Sequence, residues 1–484
     1  MQSPWIILSV LPLLLLAVLI LRAVRFRPRR EKPVAPVSVP LDADAAARAL
    51  SALVRCPTVS HPGGEGEDQA AFDSFAALLP QLFPRVHAAC ALERVGSKGL
   101  MYRWPGTRAE HPLILTAHLD VVPADASAWE GDPFSGEIRD GIIHGRGTLD
   151  TKCTLSAILT AAETLLGEGF TPARDVYFCF AGDEEVMGHG ARDIVALLEA
   201  RGVKPLCVVD EGGAIVERVF PGVSRAAALI GVAEKGSVHY TLTARARGGH
   251  SSAPLPETPV DILAQACLSI RRKPFRFRIT PPAAQMIDSL ARHSTFVYRL
   301  IFANLWLFAP ALNRLVRKSG GELNALLRTT AAFTVVRGGD AANVLPPSAK
   351  LTVNLRVLPG ETVEGTLAAL QRKVNDARVA VEWLEGEDPT ACSGTDGAGY
   401  AALSRAIHEI YPGVLISPYL MIAGSDARHY ERICDHVYRF CGMPLSAEER
   451  LMIHGVNERI PVAKQADTAR FFLRLIRNVQ EMGA

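Results

Sequence analysis

With 484 residues the chain is too long for a single hydrophobic core and is expected to hold two or three domains, one of them large. Its 49% hydrophobic and 21% charged content is that of an ordinary globular protein, which excludes extensive disorder beyond the ends. The formal net charge is +2, and much of the basic excess lies in one run, Arg22, Arg25, Arg27, Arg29, Arg30 and Lys32, so the remainder lacks the basic face that nucleic acid binding requires.

In chain order, the first feature is the uncharged run from Trp5 to Leu21. At 1.5 Å per residue it spans roughly 25 Å as a helix, close to the thickness of a hydrocarbon core, and it reads as a single membrane anchor. The competing reading is a cleaved signal peptide. Against it, the start Met1 to Pro4 lacks a basic region, and the apolar run ends in arginines rather than small residues. A basic collar on the C-terminal side of the run favours a cytoplasmic position for the rest of the chain. The proline-rich stretch from Glu31 to Pro40 reads as a stiff spacer, so residues 1–40 form anchor and linker.

Helical patterns continue over Leu41 to Val54 and Gln69 to Leu82. Short β-branched or aromatic runs then alternate with helices: HPLILTAH, ARDVYFCFAG and KPLCVVDE read as strands, and Cys153 to Leu166 as a helix closed by Gly167 and Gly169. The alternation implies an α/β fold with a helix-flanked, mostly parallel sheet. Ligands bind beyond the carboxyl ends of such strands, where the acidic and histidine residues of all three runs fall. From Ala233 to Glu387 the pattern changes to alternating strands (SVHYTLTARARGG and AKLTVNLRVLP) with helices from Pro259 to Arg271 and after Glu361. This reads as an inserted α+β lid domain, residues 233–387, splitting a catalytic domain into 41–232 and 388–484. Within it, Ala284 to Val316 is an apolar helical stretch interrupted by Pro310, either buried core or a wall for a long acyl chain. Nine cysteines without a CxxC pair argue against a closed disulfide framework.

Five short motifs carry ligands suited to a divalent metal. His118 and Asp120 form an HxD at the end of LTAHLDVVP, an imidazole with a carboxylate able to fix its tautomer, although an isolated HxD is common. Asp150, in GRGTLDTK, precedes a helix and would ordinarily be an N-cap. Asp183, Glu184 and Glu185 come after a buried strand and repel one another unless cations neutralise them; alone they would read as a solvated acidic loop. Asp210 and Glu211 end the strand LCVVD, and His454 lies in IHGVNERI. A set of oxygen and nitrogen ligands without cysteine suits a hydrolytic rather than a structural zinc site.

Taken in order, LTAHLDVVP, GRGTLDTK, GDEE, VVDEGG, GGHSSAP, NVLPP, NLRVLPG and IHGVNE resemble the aminoacylase and carboxypeptidase S family of two-zinc metallopeptidases, and within it the secreted N-fatty-acyl amino acid synthase/hydrolase branch. The resemblance runs from about Leu41 to the C-terminus. It implies a bridging Asp150 between two zinc ions per subunit, with His118 and Asp210 on one and Glu185 and His454 on the other; Glu211 competes with Asp210. It further implies Glu184 as general base and Asp120 as the group orienting His118. His250, in GGHSSAP, would reach the site from the partner subunit of a homodimer formed through the inserted domain. Asn343, Arg356 and the loop Gly424, Ser425 and Asp426 would contact substrate, with the Arg356 guanidinium on a free carboxylate. One departure is Thr151, where the family commonly has a second aspartate.

The implied reaction is hydrolysis, or the reverse formation, of the amide bond of an N-acyl amino acid. A carboxypeptidase or dipeptidase acting on small peptides is the alternative. A membrane-anchored binding protein with a structural zinc site is the reading of a different class; it would have no use for a spare carboxylate at Glu184. The secreted branch favours the outer face of the membrane, against the basic collar.

Overall fold

The computed structural model describes the backbone of residues 4–29 and 33–482, with side chains from residue 11 onward. Arg30, Lys32, the start of the expected spacer and the side chains from Trp5 to Val10 of the expected anchor lie outside the described residues. The two principal sheets are built from β1 (Ala91–Val95), β2 (Gly99–Trp104), β3 (Arg108–His118), β4 (Arg174–Ala181), β5 (Cys207–Asp210), β6 (Ala227–Glu234), β7 (Gly236–Arg245), β8 (Thr330–Arg337), β9 (Ser348–Val357), β10 (Val379–Glu387), β11 (Leu415–Met421) and β12 (Val437–Arg439).

The larger sheet has the order β1-β2-β4-β3-β5-β12-β6-β11, and a short strand, Ile215–Val216, pairs with β6. Its centre is parallel: β3 runs with β4 and β5, β12 with β5, and β11 with β6. All eight residues of β4 and of β6 are buried, as expected for strands covered on both faces. The N-terminal helix is α1 (Pro4–Arg25); the next two, α2 (Ala43–Val54) and α3 (Lys152–Gly167), cover one face of the sheet. Every residue from Lys152 to Ala162 is buried. Helix α3 is therefore enclosed all round, and Leu155, Ile158 and Leu159 each contribute roughly 1.5–3 kcal/mol through removal from water. The opposite face is covered by α4 (Gly190–Ala200), whose Ile194, Val195 and Leu198 pack on Met101, Tyr177 and Val208.

The second sheet is antiparallel, in the order β8-β9-β7-β10, and is covered by α5 (Pro259–Arg272). Thr258 and Asp261 close the first turn of α5 as a capping box. It departs from the large sheet at the β6–β7 junction, where Lys235 is fully buried and donates to the carbonyls of Ala325 and Arg328.

Two expectations change. The stretch from Ala284 to Val316 is three helices, α6 (Pro281–Ala291), α7 (Phe296–Phe302) and α8 (Leu305–Ser319). The sharp break precedes α8, with α7 and α8 bent by 101°, rather than falling at Pro310. Asn304 breaks the chain there because its buried amide donates to the carbonyls of Leu300 and Leu19. The inward face of these helices also packs away from the small sheet: Met286, Ile287, Leu290 and Val316 join a core with Phe220, Leu229, Leu415 and Met443 of the large domain. The chain returns to the small sheet at β8, and a further helix, α9 (Val363–Val374), covers that sheet beside α5. After β10, α10 (Ala398–Ile410) and α11 (Val462–Glu481) complete the covering of the large sheet next to α3.

All nine cysteines are free. Among the described residues no single helix is long and apolar enough to cross a membrane, although the bent pair α7–α8 meets that test of length and composition.

Candidate metal centre

Parallel pairing brings three strand ends level. His118 ends β3 opposite Ala181, the last residue of β4, so the loop from Gly182 to Glu185 opens beside it, and Asp210 ends β5. The GRGTLD loop arrives from another direction. Its tight path uses Gly147 at φ 89°, where an added Cβ would stand 3.0 Å from both Lys152 and Val121.

His118, Asp150 and Glu185 offer ligand atoms that all lie within 4.8 Å of one another. Asp150 presents one oxygen to each of two imidazoles: Oδ1 lies 3.2 Å from His118 Nε2 and Oδ2 3.0 Å from His454 Nε2. His454 Nε2 also lies 3.0 Å from Glu185 Oε2. Glu184 stands just beyond, with Oε2 3.9 Å from His118 Nε2. The Asp150–Thr151 peptide bond is cis.

Asp120 is fully buried behind His118. The imidazole Nδ1 lies 3.0 Å from the Asp120 carbonyl and 3.4 Å from its carboxylate. That carboxylate also accepts from Ser60 Oγ at 2.6 Å and from the backbone N–H groups of Glu184 and Glu185. One side chain thus fixes both the imidazole and the acidic loop. Asp183 has a different role: its oxygens accept from the N–H groups of His189 and Gly190, bracing the turn into α4.

Charge at the site is strongly unbalanced. Among the described residues, Asp120, Asp150, Glu184, Glu185, Asp210, Glu211 and Asp426 crowd around His118 and His454, with Arg439 acting on Asp210 and Lys152 within the field of Asp120. Burial pulls the His118 imidazole down, but Asp120 and Asp150 outweigh it and hold the ring well above its ordinary value. Hydrogen bonds to Asp150 and Glu185 push His454 up to about 10. Burial, then Asp426, Glu211 and Glu185, push Glu184 well up against the pull of His118. Glu185 Oε1 and Asp426 Oδ2 are buried without a hydrogen-bond partner. Excess carboxylate and orphaned oxygens are what a site for positive charge requires, and the donor set fits divalent metal.

Asp210 and Glu211 separate in the fold. Asp210 accepts from Ala427 N–H at 2.8 Å, and burial, followed by the Glu234 charge, raises it to about 6. Glu211 is raised by burial and then by Asp150, Asp210 and Glu185. Both carboxylates also feel His118, so each lies within the field of the cluster.

Of the expected substrate residues, Asp426 lies in the field of Glu184, Asp210 and His118, whereas the others have partners outside the cluster. His250 and Asn343 sit on an exposed ribbon in which Gly249–His250 pairs with Val344–Leu345; His250 Nδ1 accepts from Ser252, and Ser251 N–H donates to the Asn343 carbonyl. Arg356, half-buried on β9, lies within the fields of Arg428 and Glu234. Ser425 is 4% exposed and donates its hydroxyl to Glu234 at 2.7 Å, so this side chain is committed to a buried brace completed by Arg439.

Sequence reasoning passed over the group that joins the two halves of the cluster. Glu458 is fully buried: Oε1 accepts from the N–H groups of Leu149 and Asp150, and Oε2 from Arg146 Nη1 and Gly147 N–H. Arg146 Nη2 in turn donates to the Gly455 carbonyl. The Asp150 loop and the His454 turn are thereby tied together. Glu458 lies within IHGVNE and Arg146 within GRGTLD, so both were inside recognised motifs; Ser60, Glu234 and Arg439 carried no sequence signal.

Residues 114–478 match the family model described as peptidase family M20/M25/M40. The chain is 38% identical over 437 residues to the N-fatty-acyl-amino acid synthase/hydrolase PM20D1 of Xenopus tropicalis, covering 89% of this chain and 85% of that protein. It is 34% identical over 443 residues to the probable carboxypeptidase S-like 2 of Dictyostelium discoideum, covering 90% and 85%. The fold is similar to that of an M20 family metallo-carboxypeptidase from Sulfolobus solfataricus, with a TM-score of 0.66 at 19% identity, covering 90% of this chain and 99% of that one.

Proposed function

This chain belongs to peptidase family M20/M25/M40 and is a metallohydrolase, and from that premise we propose that it cleaves, or in reverse forms, the amide bond between an acyl group and an amino acid. The observation that carries the proposal is Asp150 set between His118 and His454 with Glu185 and Glu184 alongside. Two zinc ions would be held by Asp150 between them, by His118 with a carboxylate of the Asp210–Glu211 pair, and by Glu185 with His454. The engagement of Asp210 with Ala427 favours Glu211 as that carboxylate. Bound metal supplies Lewis acidity to the scissile carbonyl and lowers the pKa of water.

Glu184 takes a proton from the attacking water and delivers it to the departing amine nitrogen, a role supported by its carboxylate standing 3.9 Å from His118 Nε2 at the edge of the cluster. Asp120 keeps His118 oriented. Arg356 receives the free carboxylate of the amino acid, Asn343 and the Ser425 loop border the substrate, and His250 of a second subunit donates to the developing oxyanion. The uncharged run from Trp5 to Leu21, part of which lies outside the described side chains, supports reading α1 as an anchor that holds the enzyme at a membrane. The match to a carboxypeptidase S-like relative supports small peptides with a free C-terminus as the second substrate class.

The test compares native protein and Glu184→Gln on N-acetyl, N-oleoyl and dipeptide substrates of several amino acids, with zinc content measured on both. Glu184→Gln is expected to retain zinc and lose turnover; unchanged turnover on every substrate would overturn the mechanism. Turnover of dipeptides alone by the native protein would reject the acyl amino acid assignment and leave the metallohydrolase.

A further inference from the structure

Helices α7 and α8 expose apolar side chains where a soluble helix is polar. Val297 is 65% exposed, Trp306 58% and Leu315 63%, and Phe296, Tyr298 and Leu307 are exposed beside them. The first turns of α8, from Leu305 to Leu312, contain no polar side chain on either face: Leu305 and Leu312 pack on the core, while Trp306, Leu307, Pro310 and Ala311 face outward. A helix apolar all round is at home in a protein core or in lipid, and this one is in neither within the chain. Beyond Leu312 the composition turns basic, with Arg314, Arg317 and Lys318, and Arg299 lies on α7.

This face is continuous with α1. Asn304, at the α7–α8 bend, donates to the Leu19 carbonyl, and Arg22 Nε donates to the Ala303 carbonyl at 3.1 Å. Leu19 and Ala23 are buried by the contact, while Leu13, Leu14, Leu16 and Val18 stay exposed. Farther along, Arg292 stacks on Phe26 and bonds the Arg27 carbonyl. The apolar face of α7–α8 therefore shares its border with an apolar helix and a row of arginines.

We propose that α7 and α8 form a second membrane contact, lying in the headgroup–acyl boundary of an anionic bilayer beside α1, so that the enzyme body is held against the lipid in one orientation. Apolar residues on the outward face with arginine and lysine at the end of the helix are the composition of an interfacial helix, and the cations complement acidic headgroups. The bend of 101° allows the two helices to lie along a surface rather than cross it. A bilayer accounts for both the apolar face and its basic border.

The test uses the full chain carrying Trp5→Phe in nanodiscs of phosphatidylcholine with a minority of phosphatidylserine, the lipids brominated at a shallow chain position. Bromolipid is expected to quench Trp306, and a further Trp306→Phe substitution to remove that quenching without changing turnover of an N-acetyl substrate. Quenching identical in the two proteins, or Trp306 emission quenched by aqueous iodide instead, would overturn the proposal. So would discs holding two chains with Trp306 shielded from both quenchers, which would assign the face to a second copy. Failure of the chain to enter discs would overturn the α1 anchor as well, whereas entry without bromolipid quenching would overturn only the α7–α8 contact; neither result bears on the amidohydrolase reading.

Discussion

Replacing Glu458 with glutamine tests whether the site depends on a residue that touches no substrate. Burial pushes the Glu458 carboxyl up while Arg146 pulls it down. Each oxygen already accepts two N–H donors, so the ionised form is the one the geometry requires. Glutamine keeps an acceptor for Leu149 and Asp150 but turns an NH2 group toward Arg146 Nη1 and Gly147 N–H, setting donor against donor. The Arg146 side chain is only 3% exposed, and breaking a buried pair of this kind costs about 3–5 kcal/mol. Because the same contacts orient Asp150 relative to His454, zinc affinity should fall by roughly 10–100-fold, the usual effect of losing a partner that positions ligands. Denaturant unfolding of the metal-free proteins measures the first quantity and competitive zinc titration the second. If Glu458→Gln unfolds within about 0.5 kcal/mol of native, the scale of an ordinary surface substitution, and binds zinc equally well, the loop-tying role is wrong.

Two further substitutions separate adjacent carboxylates, and one tests a remote ion pair. Glu211→Gln is expected to lower zinc affinity more than Asp210→Asn, which should act mainly on stability by weakening the bond from Ala427; zinc titration giving the reverse order would restore Asp210 as the ligand. Glu409, 3% exposed, is raised by burial, but Arg474, Asn478 and Arg405 outweigh this and hold it below the usual glutamate value. Its carboxylate therefore stabilises the fold above the unfolded pKa, and that stabilisation is lost as pH falls through the depressed folded value. Glu409→Gln should lose about 1–3 kcal/mol at neutral pH, with the difference from native narrowing below about pH 4.5. A difference independent of pH across that range would show that charge is not the cause.

Much of the fold was legible because its signals are local. The runs HPLILTAH and ARDVYFCFAG became β3 and β4, and GDEE opened at the strand end where parallel sheets place polar residues. The helices expected over Gln69 to Leu82 and Pro259 to Arg271 formed, the second one residue longer, and Asp68 and Thr258 cap them. Chemical type was also readable: a histidine, an aspartate and paired glutamates after buried strands indicate metal wherever they meet.

By itself, then, the sequence determined which residues end strands, because strand period and turn chemistry are set by near neighbours. Tertiary structure decided the rest. It alone gave Asp210 the Ala427 N–H as a partner and set the neighbouring Glu211 in the field of Asp150 and Glu185, since side-chain direction in a loop follows no period. It alone joined Glu458 to a loop 308 residues earlier in the chain and turned the outer face of α7–α8 away from the core. Those outcomes depend on burial and on partners distant in sequence, and neither is encoded in the spacing of residues.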